Sequence, residues 1–564
     1  MNRIFTSALI FVIVLSFATN SAHGRPPLDS CQDNPTSILD ETVWKSIQPY
    51  AEIPEAILAV ASKLDALTPK CADKIWPSSG VGSFQVVLVD PITKQPWLWT
   101  PKGFTGPKDP GGIERIDPKE LEKYPDVFQS RYTFKQFRGK KTVSLLLNQK
   151  GFRTFEEEQQ EVEKQKKAGR LPPEFELTKD LYLENKKSSF EGDFTTLVHE
   201  SFHAYGQGTH HPDDGHDHRW KVVKDQEQEF SEGIMNRYSE YPLETGPRYF
   251  RRMQFESMLK AINSKDQAEK DKYLAEASYW QKQYEESGDE HTRTNGSDIS
   301  EGTAKYFDFM ASIYAKHGCN LTAEEEKKII ENEIAKLVGQ LEKRGGLPPV
   351  ADLESYNIGL LSGLLLAQSS EPSDWKKKLM TDRKTPAEIL LENRDPLKAK
   401  EDPTIRAAIE VAQEKENQQL GGLMRGLSSH EKEKGAWVRL QLPQHLGAYS
   451  HRGYYQYKEV SDSIIAVSTS KKYVSKDFNI EIENVSMLME KQSPCSTQKG
   501  ASNNFIFVPK SSLKQNGTRV EFDFADPQTA FKDPRGGPLM PKAKGQGTYE
   551  AKQSADGREW YCLK

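Results

Sequence analysis

His199-Glu200-Ser201-Phe202-His203 is the segment whose residue types and spacing could do chemistry, because it matches the pattern H-E-x-x-H. On a helix, positions i and i+4 share one face, one turn apart. Two imidazoles so placed can grip one Zn2+ at about 2.0–2.1 Å each. Zinc suits them because neutral imidazole is a good ligand for a borderline-soft ion. Glu200, beside the first histidine, is positioned to take a proton from a water that the metal acidifies. The helix that must carry these residues is expected from about Asp193, as its N-cap, to Tyr205, with Gly206 or Gly208 ending it. Phe194, Leu197, Val198, Phe202 and Tyr205 fall in one arc of its wheel, and the two histidines and Glu200 fall opposite. Such a helix buries one face and turns the three polar residues toward a cleft.

A catalytic zinc needs a third protein ligand and an open position. The favoured third ligand is Glu301, in Ser300-Glu301-Gly302-Thr303-Ala304-Lys305-Tyr306-Phe307. It opens a helix expected to start near Asp298 and to end before Gly318. Ile299, Tyr306, Phe307, Met310 and Tyr314 share one face of that helix, and Glu301 lies on the other. Asp308, two turns on and on the same side as Glu301, is placed to support a ligand. The competing account of Glu301 is an acid near a helix N-terminus, stabilising the dipole. Two further donors stay open. Glu232 sits in a second Ser-Glu-Gly triplet, and His210 comes one residue too late to complete H-E-x-x-H-x-x-G-x-x-H. The segment from His210 to His218 is rich in metal-binding side chains and reads as a polar, solvated loop, with a second ion-binding site as the alternative. Tyr205, His291, Arg293 and Tyr306 are candidates to stabilise an oxyanion. No Walker-type loop, nucleophile elbow or dinucleotide fingerprint is present in the sequence.

The residues His199, His203 and Glu301 resemble the gluzincin side of the zincin metallopeptidases. In that group H-E-x-x-H supplies two zinc ligands, a glutamate on a later helix supplies the third, and the glutamate of the motif is the general base, here Glu200. The stretch from about 180 to 395 also resembles a group of exported bacterial proteins sharing H-E-x-F-H, a Tyr-Pro-Leu-Glu region and E-G-x-A-x-Y. Here those are His199 to His203, Tyr241-Pro242-Leu243-Glu244, and Glu301 to Tyr306. The resemblance implies an α+β fold: a mostly helical zincin-like core with a small N-terminal sheet, followed by a β-rich C-terminal domain. It implies zinc-dependent hydrolysis of peptide bonds, with a peptide or protein as substrate. One position departs from the pattern. Many gluzincins carry an acid four residues after the third ligand, to orient the first histidine, and here that position is Lys305.

The elements that must position these residues belong to a chain of 564 residues, too many for one ordinary core. The boundaries expected are a signal peptide at 1–24, a mixed region at 25–180, a helical catalytic domain at 181–420 and a β-rich domain at 436–564. The signal is read from Arg3, the apolar run Ile4 to Ala18 and the small residues of Ala22-His23-Gly24. Export and no stable membrane span after cleavage follow as expectations. Helices are expected at 155–168, 225–239, 246–262, 266–285, 323–343, 353–368 and 403–418, and short strands at Phe84–Val89, Trp97–Trp99, Val143–Leu147 and Leu181–Leu183. A linker is expected at 420–436, from Gly421, Gly422, Gly426 and a charged run. Strands then follow at Ser463–Val467, Phe505–Val508 and Val520–Phe524, with a hairpin at Asn516-Gly517 and a terminal hairpin. Of the five cysteines, Cys31 with Cys71 and Cys495 with Cys562 are the expected pairs, leaving Cys319 free. A net charge of -5 points to no nucleic-acid partner. Two other functions compete: an exported binding protein in which zinc is only structural, and a zinc hydrolase of a non-peptide amide.

Overall fold

In a computed structural model of the protein, the described residues are 53–564 without 102–111, 208–237, 369–373, 444–453, 496–502, 533–537 and gaps of one to three residues elsewhere. The expected signal segment, Cys31, the donors Glu232 and His210, the loop to His218 and most of the helix expected at 225–239 lie outside the described residues. The fold is mixed α/β, with a helical region and a β-rich C-terminal region. The chain divides into two units, one of residues up to 221 with 304–337, the other of 222–303 with 338–564.

The first unit is built on a five-stranded sheet in the order β3 (Ile113–Arg115), β2 (Pro96–Trp99), β1 (Gln85–Val89), β5 (Lys140–Leu146), β4 (Tyr132–Phe137). β1 is an apolar run after Gln85, and every residue of it is buried, as a strand covered on both faces requires. It pairs antiparallel with β2, Val87 opposite Leu98, and parallel with β5, Val87 opposite Ser144. The Asp90 carboxylate makes the turn after β1 by accepting from the backbone of Ile92 at 2.7 Å. Val87 and Val89 point into a cluster with Leu98, Ile116, Leu121 and Phe137. Helices α1 (Glu55–Ala66), α2 (Pro69–Ile75), α3 (Phe155–Lys167) and α4 (Lys179–Ser201) complete this part, and α4 packs on α1 and β5. α4 starts well before the expected N-cap, with Thr178 capping by accepting from Leu181 N at 3.2 Å. Leu181–Leu183 is therefore in its first turns and not a strand. Asp193 lies inside the helix, fully buried, ion-paired with Arg131 and accepting from Asn148 N at 3.0 Å.

In the second unit α5 (Thr245–Asn263) and α6 (Gln267–Glu286) form a helical hairpin, with Asp266 capping α6. The helix α7 (Glu290–His317) starts two turns earlier than expected and runs without a break through residues 303 and 304. The part of α7 from residue 304 and most of α8 (Ala323–Lys343) belong to the first unit, and α9 (Ala351–Ala367), α10 (Asp374–Asp382), α11 (Pro386–Leu391) and α12 (Pro403–Lys432) follow in the second. The linker expected at 420–436 is mostly the last part of α12. Leu420, Leu423, Met424 and Leu427, at helical spacing, are buried with Trp437, Phe505 and Phe507 of the sheet beside them. Gly426 is there for close approach, since a Cβ would come within 2.4 Å of the Gln528 carbonyl. The ten-stranded sheet includes β6 (Ser239–Glu240), β7 (Trp437–Leu442), β8 (Tyr454–Gln456), β10 (Phe478–Glu490), β11 (Asn503–Pro509), β12 (Leu513–Asn516), β16 (Lys542–Gln553) and β17 (Glu559–Leu563), while β14 (Phe531–Lys532) and β15 (Pro538–Leu539) pair with each other. Its pairings β16–β17, β17–β7, β7–β11, β11–β10 and β10–β16 close a circuit. The strands expected near 463, 505 and 520 are all present, as β9 (Ile464–Val474), β11 and β13 (Arg519–Ala525). Gly517, at φ +61°, makes the two-residue turn where Asn516 pairs with Arg519.

Cysteine pairing differs from the expectation. Cys71 bonds Cys319, with Cα atoms 5.4 Å apart and a sequence separation of 248. Cys495–Cys562 forms as expected.

Candidate metal centre

His199 and His203 stand one turn apart near the end of α4. They are 2% and 5% exposed, so they are buried on the helix and do not open broadly to a cleft. The opposite arc, with Phe194, Leu197, Val198 and Phe202, is buried too, and Glu200 between them is half-buried. The helix then widens into a π-helical turn at Phe202–Gln207, a local irregularity common at functional sites.

That turn and α7 hold the two rings by their Nδ1 atoms. His199 Nδ1 donates to Asp308 Oδ2 at 3.1 Å, and His203 Nδ1 donates to Gln207 Oε1 at 2.6 Å. With Nδ1 used as donor, a neutral imidazole presents a lone pair on Nε2. The two Nε2 atoms are 3.1 Å apart. Lone pairs at that separation repel unless a cation or a shared proton lies between them. Two nitrogens bound to one tetrahedral zinc at the usual length would be about 3.3 Å apart, close to what the rings show. Glu301, 4% exposed, brings a carboxylate oxygen into the same place, and one donor atom from each of the three residues lies within 4.8 Å of the others. Two imidazoles and a carboxylate are a donor set that fits zinc, with ligands fewer than its usual four.

α7 explains why these residues meet. Glu301 lies in the interior of this 28-residue helix, so the helix-dipole account of an acid near an N-terminus does not apply to it. Asp308, seven residues on, is about two turns away on the same face. Between Phe202 and Phe307 the rings stack at 4.5 Å, and Trp76 meets Phe202 edge-on at 5.2 Å. These stacks set the spacing of α4 from the second half of α7, one residue from His203 and one from Asp308. Next to Glu301, Gly302 touches α9, where a Cβ would come within 2.7 Å of the Gly359 Cα. One turn upstream, Asp298 accepts from both terminal nitrogens of Arg251 at 2.6 and 2.7 Å and from Ser355 Oγ at 2.6 Å, all buried. Arg248, beside it, pairs with Glu354 and Glu290.

Asp308 lies within hydrogen-bonding distance of His199, the place expected of a supporting carboxylate. Gln207 was not anticipated, although its place four residues after His203, on the same helix face, is a signal that could have found it. Lys305 donates to both oxygens of Asp308, at 3.2 and 3.3 Å. Tyr205 stacks on Phe84 at 4.8 Å, with the Lys141 ammonium 5.6 Å from its ring centre. Tyr306 is buried, and burial pushes its phenol well above the ordinary range. His291 donates from Nδ1 to the Gly288 carbonyl at 2.8 Å. Comparison of the chain with family models, with curated proteins and with solved structures finds no match, so the site is read from its geometry.

Proposed function

We propose that the protein is a zinc-dependent metallopeptidase of the gluzincin type, with His199, His203 and Glu301 as metal ligands and Glu200 as general base. The observation that carries this reading is the pair of Nε2 atoms 3.1 Å apart, each ring pinned from behind, with the Glu301 carboxylate beside them. Zinc, when bound, supplies Lewis acidity that polarises the scissile carbonyl and acidifies the attacking water. Asp308 and Gln207 orient the ligand rings so that neither has to turn during the reaction. A carboxylate oxygen of Glu200 takes the proton of the attacking water and hands it to the leaving nitrogen. Glu200 suits this role because it is only half-buried and adjoins His199 on α4. A metal site of structural purpose alone has no need of a base at that position. Export is supported by the cystines Cys71–Cys319 and Cys495–Cys562, which persist in oxidising compartments. Among the described residues no helix is long and apolar enough to cross a membrane.

The test is metal analysis of the purified chain together with hydrolysis of unfolded protein substrates. One zinc per chain is expected. Glu200→Gln should retain that zinc while turnover falls by about 10²–10⁴-fold, the range of general-base contributions. Undiminished turnover in Glu200→Gln would remove the mechanism. Bound zinc with no hydrolysis of any peptide by the wild type would leave a structural metal site.

A further inference from the structure

Asp308 is 1% exposed, and a carboxylate so buried needs a compensating charge. His199 donates to it from Nδ1, and as a zinc ligand that ring would be neutral and bring no net charge. Among the described residues the cation that Asp308 meets is Lys305, one turn earlier on α7, whose ammonium spans both carboxylate oxygens. The side chain of Lys305 is itself 28% exposed, so its stem reaches in from the solvent edge of the helix. The ammonium on two oxygens and the imidazole on one of them together fix the plane of the carboxylate. The plane of the carboxylate in turn fixes the direction of the His199 ring.

We propose that Lys305 is a positioning residue of the metal centre: it clamps Asp308 so that Oδ2 faces His199 Nδ1, and zinc affinity depends on the cation at 305. This inference rests on the zinc reading above. It also accounts for a lysine standing where the sequence resemblance leads one to expect an acid. With Lys305 there, the orienting carboxylate moves to residue 308. That position is rotated only about 20° from Glu301 on the helix, where 305 is rotated about 40°. The ammonium also repels a divalent ion directly, so deleting it would tighten binding if that were its whole effect. The sign of the change therefore separates the two roles.

The experiment is a double-mutant cycle in zinc affinity, read by competition with a chromophoric chelator, using wild type, Lys305→Met, Asp308→Asn and the double variant. Outer partners of metal ligands typically contribute about 10–100-fold in affinity. Lys305→Met should weaken zinc about tenfold when Asp308 is present. It should not weaken zinc in the Asp308→Asn background, while Lys305→Arg should bind as the wild type does. The Asp308→Asn background removes the buried charge, so it keeps the comparison meaningful if Lys305→Met alone folds poorly. Equal weakening in both backgrounds, or zinc binding in Lys305→Met as tight as in the wild type or tighter, would overturn the proposal and leave the metallopeptidase reading intact. A wild-type chain that takes up no zinc would overturn both.

Discussion

His203 leans on an amide where His199 leans on a carboxylate. A carboxylate partner raises the basicity of a ligating imidazole, whereas an amide orients it without adding charge. The two rings are thus fixed alike, but only that of His199 faces a charged partner. Away from this site, one acid has a plain pH signature. Asp65 Oδ1 accepts from the Trp99 indole at 3.0 Å, and Oδ2 is buried with no hydrogen bond. Burial pushes its carboxyl from 3.8 up to about 7, with the Trp99 hydrogen bond pulling the other way. Because the folded value lies above the unfolded one, folding takes up a proton. The stability associated with that proton is present in full below about pH 4 and is lost as pH rises through about 7. Asp65→Asn keeps an acceptor for Trp99 and removes the charge. Its melting temperature should therefore rise relative to wild type on going from about pH 4 to about pH 8. A difference that is the same at both pH values would show that Asp65 does not titrate as described.

Two glycines on helices behave oppositely because their surroundings differ. Gly359 of α9 lies against Gly302 of α7, and a Cβ there would meet the Gly302 Cα at 2.1 Å. Backbone cannot step aside as a side-chain tip can, so Gly359→Ala must push α7 away beside Glu301. Such overpacking costs about 1–3 kcal/mol, and zinc binding should weaken with it. A methyl group added at Gly422 of α12 would meet nothing within 4 Å. Gly422→Ala should instead stabilise by about 0.5–1 kcal/mol, the ordinary helix preference for alanine. Thermal melts of the two variants check this. Destabilisation by both, or zinc binding in Gly359→Ala equal to wild type, would contradict the packing described.

Each of the two units carries one cystine. Cys71–Cys319 ties α2 to the residues just after α7, and Lys74 and Tyr314 both meet Glu326 nearby. Cys495–Cys562 ties the last strand to the segment after β10. In the chain-entropy account a closed loop restricts the unfolded state more as it lengthens. Sequence separations of 248 and 67 residues then make the first bond worth roughly 1 kcal/mol more than the second. Cys71→Ser with Cys319→Ser should cost about 2–5 kcal/mol in denaturant unfolding. It should also lower zinc affinity, because the end of α7 that carries Asp308 loses its tie. Replacing Cys495 and Cys562 should cost less and leave zinc affinity unchanged, and the reverse order would refute this account.

Local pattern was enough for part of this protein. The i, i+4 histidines, the apolar run of β1, the Asn516-Gly517 turn and the shared faces of α7 are written in residue type and period, which act over a few residues. That is why the motif helix, most strands and even the carboxylate pair Glu301 and Asp308 were legible in the sequence. Local pattern misjudged elements whose cause lies far along the chain. Asp193 looks like a cap until Arg131 and Asn148 are brought to it. Gly421, Gly422 and Gly426 look like a linker until a sheet covers Leu420 to Leu427 and the Gln528 backbone fills the space at Gly426. Cys71 finds Cys319 and not its neighbour in sequence, because residues 304–337 return to the first unit. Sequence alone supplied the donors and their faces. Only tertiary packing decided which donors meet, since burial, ion pairing and ring stacking depend on atoms that the chain brings together from distant positions, as with His199 and Asp308, 109 residues apart.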